Sequence, residues 1–218
     1  KELEYEERRE VVRVLVRFTE MLRPELPGIA ASGDYLTTMD LIRAKARFAL
    51  DNDCTMPIVE EGSSILLKNA RHTLLAQTLR KEGKSVVPLD LVLTPQKHIL
   101  VISGPNAGGK SVCLKTVGLL QYMMQCGLLV SASENSEMGI FRSIFIDIGD
   151  EQSIDNDLST YSSHLLNMKN ILRHADNRSL ILIDEFGTGT EPIIGGAIAE
   201  AVLEQLDAKG CFGVITTH

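Results

Sequence analysis

Leu100-Val101-Ile102-Ser103-Gly104-Pro105-Asn106-Ala107-Gly108-Gly109-Lys110-Ser111 is the stretch on which the reading of this chain turns. An apolar run of strand character leads into a glycine-rich turn, and an apolar helical pattern follows. Gly104 to Ser111 fits G-x-x-x-x-G-K-[ST], the spacing of a phosphate-binding loop. Gly104, Gly108 and Gly109 let backbone N–H groups curl around an anion without side-chain obstruction. The helix that follows points the positive end of its dipole at the same place. Lys110 supplies a point charge for the β- and γ-phosphates, and Ser111 a hydroxyl ligand for Mg²⁺. Pro105, Asn106 and Ala107 complete the loop, and Val112 stands just beyond it. The expected ligand is a nucleotide with Mg²⁺.

Toward the carboxyl end, Val112 to Cys126 is apolar all round, as a helix buried against a sheet would be, and Gly127 ends it. Leu128 to Val130 and Ser143 to Ile148 read as strands. Asp155 to Thr160 reads as a polar turn, and Tyr161 to Leu172 as a helix. Leu180 to Ile183 is a continuous apolar run, the mark of a strand buried in a parallel sheet. It ends in two carboxylates, Asp184 and Glu185. Ligands of open α/β sheets collect at that edge, where the phosphate loop also belongs. Asp184 suits Mg²⁺ held through its water shell, and Glu185 suits the orientation and polarisation of an attacking water. A pair of helix-capping carboxylates is the bland alternative, disfavoured by the loop upstream. Ile193 to Leu206 reads as a helix in which Gly195 and Gly196 permit close packing, and Phe212 to Ile215 as the last strand. The alternation predicts an α/β layered sheet.

On the amino side, His98 to Ser103 and Val86 to Leu93 read as strands around a turn at Thr94-Pro95-Gln96. Leu74 to Lys81 reads as a short helix and Ile65 to Leu67 as a strand. Lys1 to about Arg23 is helical, with Val11, Leu15, Phe18 and Leu22 on one stripe. Arg9, Arg13 and Arg17 line another face, read as solvated and paired with Glu2, Glu6, Glu10 and Glu20 rather than as a nucleic-acid stripe. Pro24, Pro27 and Gly28 break that pattern, and a second helix is expected from about Tyr35 to Leu50. Residues 1–55 therefore read as a helical lever or connector and residues 56–218 as the α/β domain.

The 218 residues are 44% hydrophobic and 23% charged, ordinary for a soluble globular protein. A formal charge of −7 argues against a broad phosphate-backbone footprint, and the absence of Trp against an aromatic platform for single strands. Cys54, Cys113, Cys126 and Cys211 show no metal-ligand spacing and read as reduced thiols in a cytoplasmic protein. No run approaches membrane-spanning length, so no membrane partner is expected. Both ends look cut, which marks the chain as a piece of something longer.

Three stretches together resemble the ATPase core of the MutS family, which belongs to the ABC-type P-loop NTPases. They are Gly104 to Ser111, Asp184-Glu185-Phe186-Gly187-Thr188-Gly189-Thr190, and Thr216-Thr217-His218. Ile148 to Ser153, leading to Leu158-Ser159-Thr160-Tyr161-Ser162-Ser163-His164, is more similar to the second bacterial MutS branch, whose members lack the mismatch-reading domain. Glu191-Pro192 with Gly195-Gly196, and Asn69-Ala70-Arg71-His72, point the same way. The resemblance implies that Lys110 and Ser111 bind phosphate and Mg²⁺ and that Asp184 and Glu185 are the Walker-B pair. It implies that His218 is the switch histidine sensing the γ-phosphate. Ser159 then lies in the signature segment that reaches a partner's γ-phosphate, though it also suits an N-cap. A homodimer with two composite ATP sites follows, driving a clamp on DNA or on stalled ribosomes through regions outside this stretch. His72, His164 and His174 read as structural. Thr73 stands where relatives usually carry proline. Ser85-Val86-Val87-Pro88 is aliphatic where mismatch-repair relatives place an aromatic near the adenine.

Two other readings compete. A nucleotide-gated structural module would bind ATP or ADP and barely hydrolyse it, but it needs neither Glu185 nor His218. Another ABC-type repair or chromosome-organising ATPase is disfavoured by Leu158-Ser159-Thr160-Tyr161.

Overall fold

The structure, a computed structural model, describes residues 1–105, 108–148, 160–188 and 191–217. The chain divides into two compact units, Lys1–Phe48 and Ala49–His218. In the first, α1 (Glu2–Leu22) leads through a single 3₁₀ turn (Arg23–Glu25) into α2 (Leu26–Asp51), which runs on into the second unit. The break expected at Pro24, Pro27 and Gly28 is thus one tight turn, and α2 begins at Leu26 rather than near Tyr35. Pro24 falls in the 3₁₀ turn and Pro27 in the first turn of α2. There an N–H has no intrahelical acceptor to lose, and proline's fixed φ suits the helix. The stripe of Val11, Leu15, Phe18 and Leu22 is more than half exposed at every position. Arg13 pairs with Glu10 at 2.6 Å and Arg23 with Glu20 at 3.0 Å, both one helical turn apart and exposed. These are solvated pairs of small energetic weight.

The second unit contains, in chain order, β1 (Ile58–Glu60), β2 (Ile65–Ala70), α3 (Thr73–Lys81), β3 (Leu89–Leu93), β4 (Ile99–Ser103), α4 (Lys110–Gln125), β5 (Glu137–Gly139), β6 (Ser143–Asp147), α5 (Thr160–His174), β7 (Ser179–Ile183), α6 (Pro192–Ala208) and β8 (Phe212–Thr217). They make two sheets, not one. The first is mixed, in the order β1-β5-β2-β3. β1 and β5 are three residues each, too short to leave a periodic signal in the sequence. Leu128 to Val130 is not a strand: only Val130 pairs, in an isolated bridge to Thr55. β2 carries a register shift between Leu67 and Ala70, where Asn69 sits at φ +51 and its N–H donates to Asp90 Oδ1 at 2.6 Å. Asparagine tolerates the left-handed region that such a bulge requires.

The second sheet is wholly parallel, in the order β4-β8-β7-β6. β7 is buried at all its positions, as its apolar run predicts. One face of this sheet meets α5 and α6. Met168 and Ile171 of α5, Val202 and Leu206 of α6, and Ile181, Ile183 and Ile215 of the strands share one buried cluster. Each such side chain contributes roughly 1.5–3 kcal/mol by leaving water. α4 lies on the other face, with Leu114, Val117 and Leu120 fully buried. It approaches closely at Gly118, where a Cβ would stand 2.5 Å from Leu182 Cδ1. Of the two glycines expected to permit close packing in α6, Gly196 faces open space. The near approach is instead to Gly187, whose added Cβ would lie 3.2 Å from the Gly195 carbonyl oxygen.

Candidate nucleotide-binding site

The phosphate loop leaves the end of β4 and enters α4. Gly104 has φ +146 and Gly109, the residue before the helix, φ +82. Both are conformations that a side chain disfavours, and an added Cβ at either would meet nothing within 4 Å. The Gly108 N–H donates to the Pro105 carbonyl at 3.1 Å. Lys110 is buried at the first position of α4, and its Nζ donates to the Gly104 carbonyl across the loop. Ser111 is half-buried and Val112 exposed. Asn106 and Ala107 lie outside the described residues.

Asp184 and Glu185 follow β7 at the same edge. β8 stands between β4 and β7, so the loop and the carboxylates are two strand spacings apart, roughly 10 Å. Asp184 is buried, and its N–H donates to the Asp147 carbonyl at 2.9 Å. Thr216 Oγ donates to Asp184 Oδ1. Glu185 is exposed, with φ +53, and its N–H donates to the same Thr216 oxygen at 2.9 Å. Its carbonyl accepts from the Thr188 hydroxyl at 2.8 Å and the Thr188 N–H at 3.2 Å. Phe186 turns back into the core and its N–H donates to the Thr216 carbonyl at 2.8 Å.

A third strand end joins this edge. The buried carboxylate of Asp147, last residue of β6, lies 2.8 Å from His164 Nδ1 and accepts from Asn167 Nδ2 at 3.0 Å. His164 and Asn167 are one turn apart on α5, and His164 lines a narrow cleft with Asp184 and Glu185. His164 reads from sequence as structural, and Asp147 and Asn167 carry no sequence signal; Thr216 is legible only as part of the Thr216-Thr217-His218 stretch, without its role. The partners that give these residues their roles lie 17 or more residues away. His72 proves to cap α3: its Nδ1 accepts the Leu75 N–H at 3.2 Å. Burial pushes its pKa below the usual 6.5, and nearby Lys115 adds to the effect.

Beside the loop, Leu75, Leu79, Val86, Val87, Cys113 and Thr116 help line a cleft of about 520 Å³ that reaches Gly108 and Gly109. Burial raises the pKa of the Cys113 thiol. Cys54, Cys113, Cys126 and Cys211 are all unbridged. Among the described residues no group of three or more His, Cys, Asp or Glu side chains could enclose a metal. The donor set instead fits Mg²⁺, a hard oxygen-seeking cation commonly held by one or two protein oxygens together with phosphates and waters. Ser111 and Asp184 offer those oxygens. Ser159 and His218 lie outside the described residues, as does most of the segment from Asp155 to Thr160. No helix among the described residues is long and apolar enough to cross a membrane.

A glycine-rich turn between β4 and α4 and a carboxylate pair at the carboxyl edge of a parallel sheet are the features of a P-loop nucleotide-binding domain. Residues 100–218 match the model of MutS domain V, and the chain belongs to the MutS family. Over all 218 residues it is 46% identical to the endonuclease MutS2 of Carboxydothermus hydrogenoformans. It is 43% identical to that of Acetivibrio thermocellus and 42% to that of Fusobacterium nucleatum. The match places it on the MutS2-like branch. It spans 27% of the length of each of these relatives.

Proposed function

We propose that this domain binds Mg–ATP at the shared edge of β4, β8 and β7 and hydrolyses it. The observation that carries the reading is the meeting there of the Gly104–Ser111 cradle with Asp184 and Glu185. Backbone N–H groups at the start of α4 and the Lys110 ammonium receive the phosphates. Ser111 and Asp184 hold the Mg²⁺, which neutralises charge developing on the transferred phosphoryl group. Glu185 aligns the attacking water and polarises its O–H bond. The aliphatic cleft of Val86, Val87 and Leu79 receives the base. The layering is that of the ABC-type ATPases. By resemblance, His218 senses the γ-phosphate and Ser159 reaches the site of a second copy, so two copies close around two nucleotides. In the setting of the longer MutS2 relatives that closure drives a clamp on DNA or on stalled ribosomes, with residues 1–55 as the lever; the relatives' endonuclease name favours a nucleic-acid target.

Sedimentation of Glu185→Gln with Mg²⁺, with and without excess ATP, tests this reading. The variant is expected to bind ATP, to lose turnover by at least about 100-fold, and to shift from monomer to dimer. Replacing Ser159 by Ala should abolish the shift. Unimpaired turnover in Glu185→Gln would overturn the catalytic assignment, and a nucleotide-bound monomer would overturn the composite site.

A further inference from the structure

We propose that Thr216 is a positioning residue for hydrolysis, its one hydroxyl setting Asp184 and Glu185 relative to each other. The inference rests on the ATPase reading above.

Thr216 lies near the end of β8 and is fully buried. A hydroxyl has one proton to give and lone pairs with which to accept. The proton goes to Asp184 Oδ1, and a lone pair receives the Glu185 N–H at 2.9 Å. The Thr216 carbonyl receives the Phe186 N–H at 2.8 Å. One residue of β8 therefore engages three successive residues that follow β7.

Glu185 is where such a hold is needed. At φ +53 it occupies the left-handed region, which disfavours any residue with a Cβ. A conformation of that kind persists only where the surroundings over-determine it. Here Asp184 is anchored through its N–H to the Asp147 carbonyl, and Phe186 is buried in the core. The Thr216 hydroxyl adds a restraint at the Glu185 amide itself, beside the Thr188 hydroxyl and N–H bonded to the Glu185 carbonyl. The left-handed turn lifts Glu185 out to solvent between two buried neighbours. The same hydroxyl commits one oxygen of Asp184 and so orients the plane of its carboxylate. Thr216 is fully buried and acts through the two residues it holds.

The test compares Thr216→Val with Thr216→Ser. Valine keeps the volume and removes both hydroxyl bonds, whereas serine keeps the hydroxyl. Three quantities are read: ATP turnover, ATP affinity without Mg²⁺, and hydrogen exchange of the Glu185 amide in the nucleotide-free protein. Thr216→Val should lower kcat about 30-fold, in the range for hydrogen bonds to a charged group, with metal-free ATP affinity within about threefold. Its Glu185 amide should exchange at least about tenfold faster. Thr216→Ser should stay within about threefold of the wild type in both. Where valine abolishes cooperative melting, Thr216→Ala removes the same bonds without overpacking, and the same results are expected of it. A kcat within about twofold of wild type, or an unchanged Glu185 exchange rate, overturns the proposal. A wild-type protein that neither binds nor turns over ATP defeats the ATPase reading instead. The exchange comparison would then still decide whether Thr216 holds Glu185.

Discussion

The two halves of the nucleotide site are built by opposite means. The phosphate half is contiguous: from Gly104 to Ser111 the cradle is shaped by its own glycines and by the helix it opens. The carboxylate half is assembled from the ends of three strands. Asp147 of β6, Asp184 and Glu185 after β7, and Thr216 of β8 hold one another through bonds that span 31 or 32 residues on one side. α5 adds His164 and Asn167. A local site tolerates distant change and fails when one of its own residues is altered. An assembled site answers to residues that never meet the ligand. That contrast sets what each substitution should do.

The largest effect is expected at the local half. Lys110→Ala removes the ammonium aimed at the phosphates and should lower kcat/KM for ATP by about 100- to 1000-fold. Lys110 bonds back within the loop, to the Gly104 carbonyl, and the melting temperature should fall by no more than about 2 °C. A larger fall measured by calorimetry would show that the loop is braced by the rest of the domain.

A smaller effect, of the opposite kind, is expected at His164. His164→Leu deprives the buried Asp147 carboxylate of a partner, at a cost of about 2 kcal/mol. In a domain of this size that is a melting temperature lower by about 4–8 °C. ATP affinity measured without Mg²⁺ should not change. His164→Asn, whose amide nitrogen lies close to where Nδ1 was, should recover most of the stability. Equal melting of the leucine variant and the wild type would refute the tie between α5 and Asp147.

The smallest effect is expected at His72, the cap of α3. Its Nδ1 must be unprotonated to accept the Leu75 N–H, and burial depresses its folded pKa below 6.5. The unfolded chain therefore takes up the proton first as pH falls. The stability that His72 contributes is complete above about 6.5 and is lost as pH drops through the folded pKa. His72→Asn caps the helix without titrating. Between about pH 7.5 and about pH 5.5 its melting temperature should fall less than that of the wild type, by about 1–2 °C. Parallel pH profiles would exclude His72 as the titrating cap.

Legibility in the sequence followed the same division. Gly104 to Ser111 and Leu180 to Glu185 were readable because each keeps its chemistry within a few residues of a strand end. Helices α1, α3, α4, α5 and α6 were readable, α1 from its apolar stripe and α4 from an apolar run closed by Gly127. β1 and β5 were not, being three residues long and given meaning only by their partners. The start of α2 was misplaced because proline and glycine break a helix in mid-run but not in its first turn. His164 carried a correct local reading, a helical histidine on α5, with no sign of the carboxylate it would meet.

A run of glycines, a lysine and a buried apolar strand ending in acid state their chemistry locally, since backbone conformation and burial pattern depend on near neighbours. From these the glycine-rich loop, the carboxylate pair after β7 and the parallel sheet followed directly. The hold on Glu185 did not follow, because a hydroxyl at position 216 acquires its role only when β8 is threaded between β4 and β7. Nor did the division into two sheets, which depends on which strands find one another across long separations rather than on the character of any one of them. Pairing is a property of the folded chain, and that is where the carboxylate half of this site is decided.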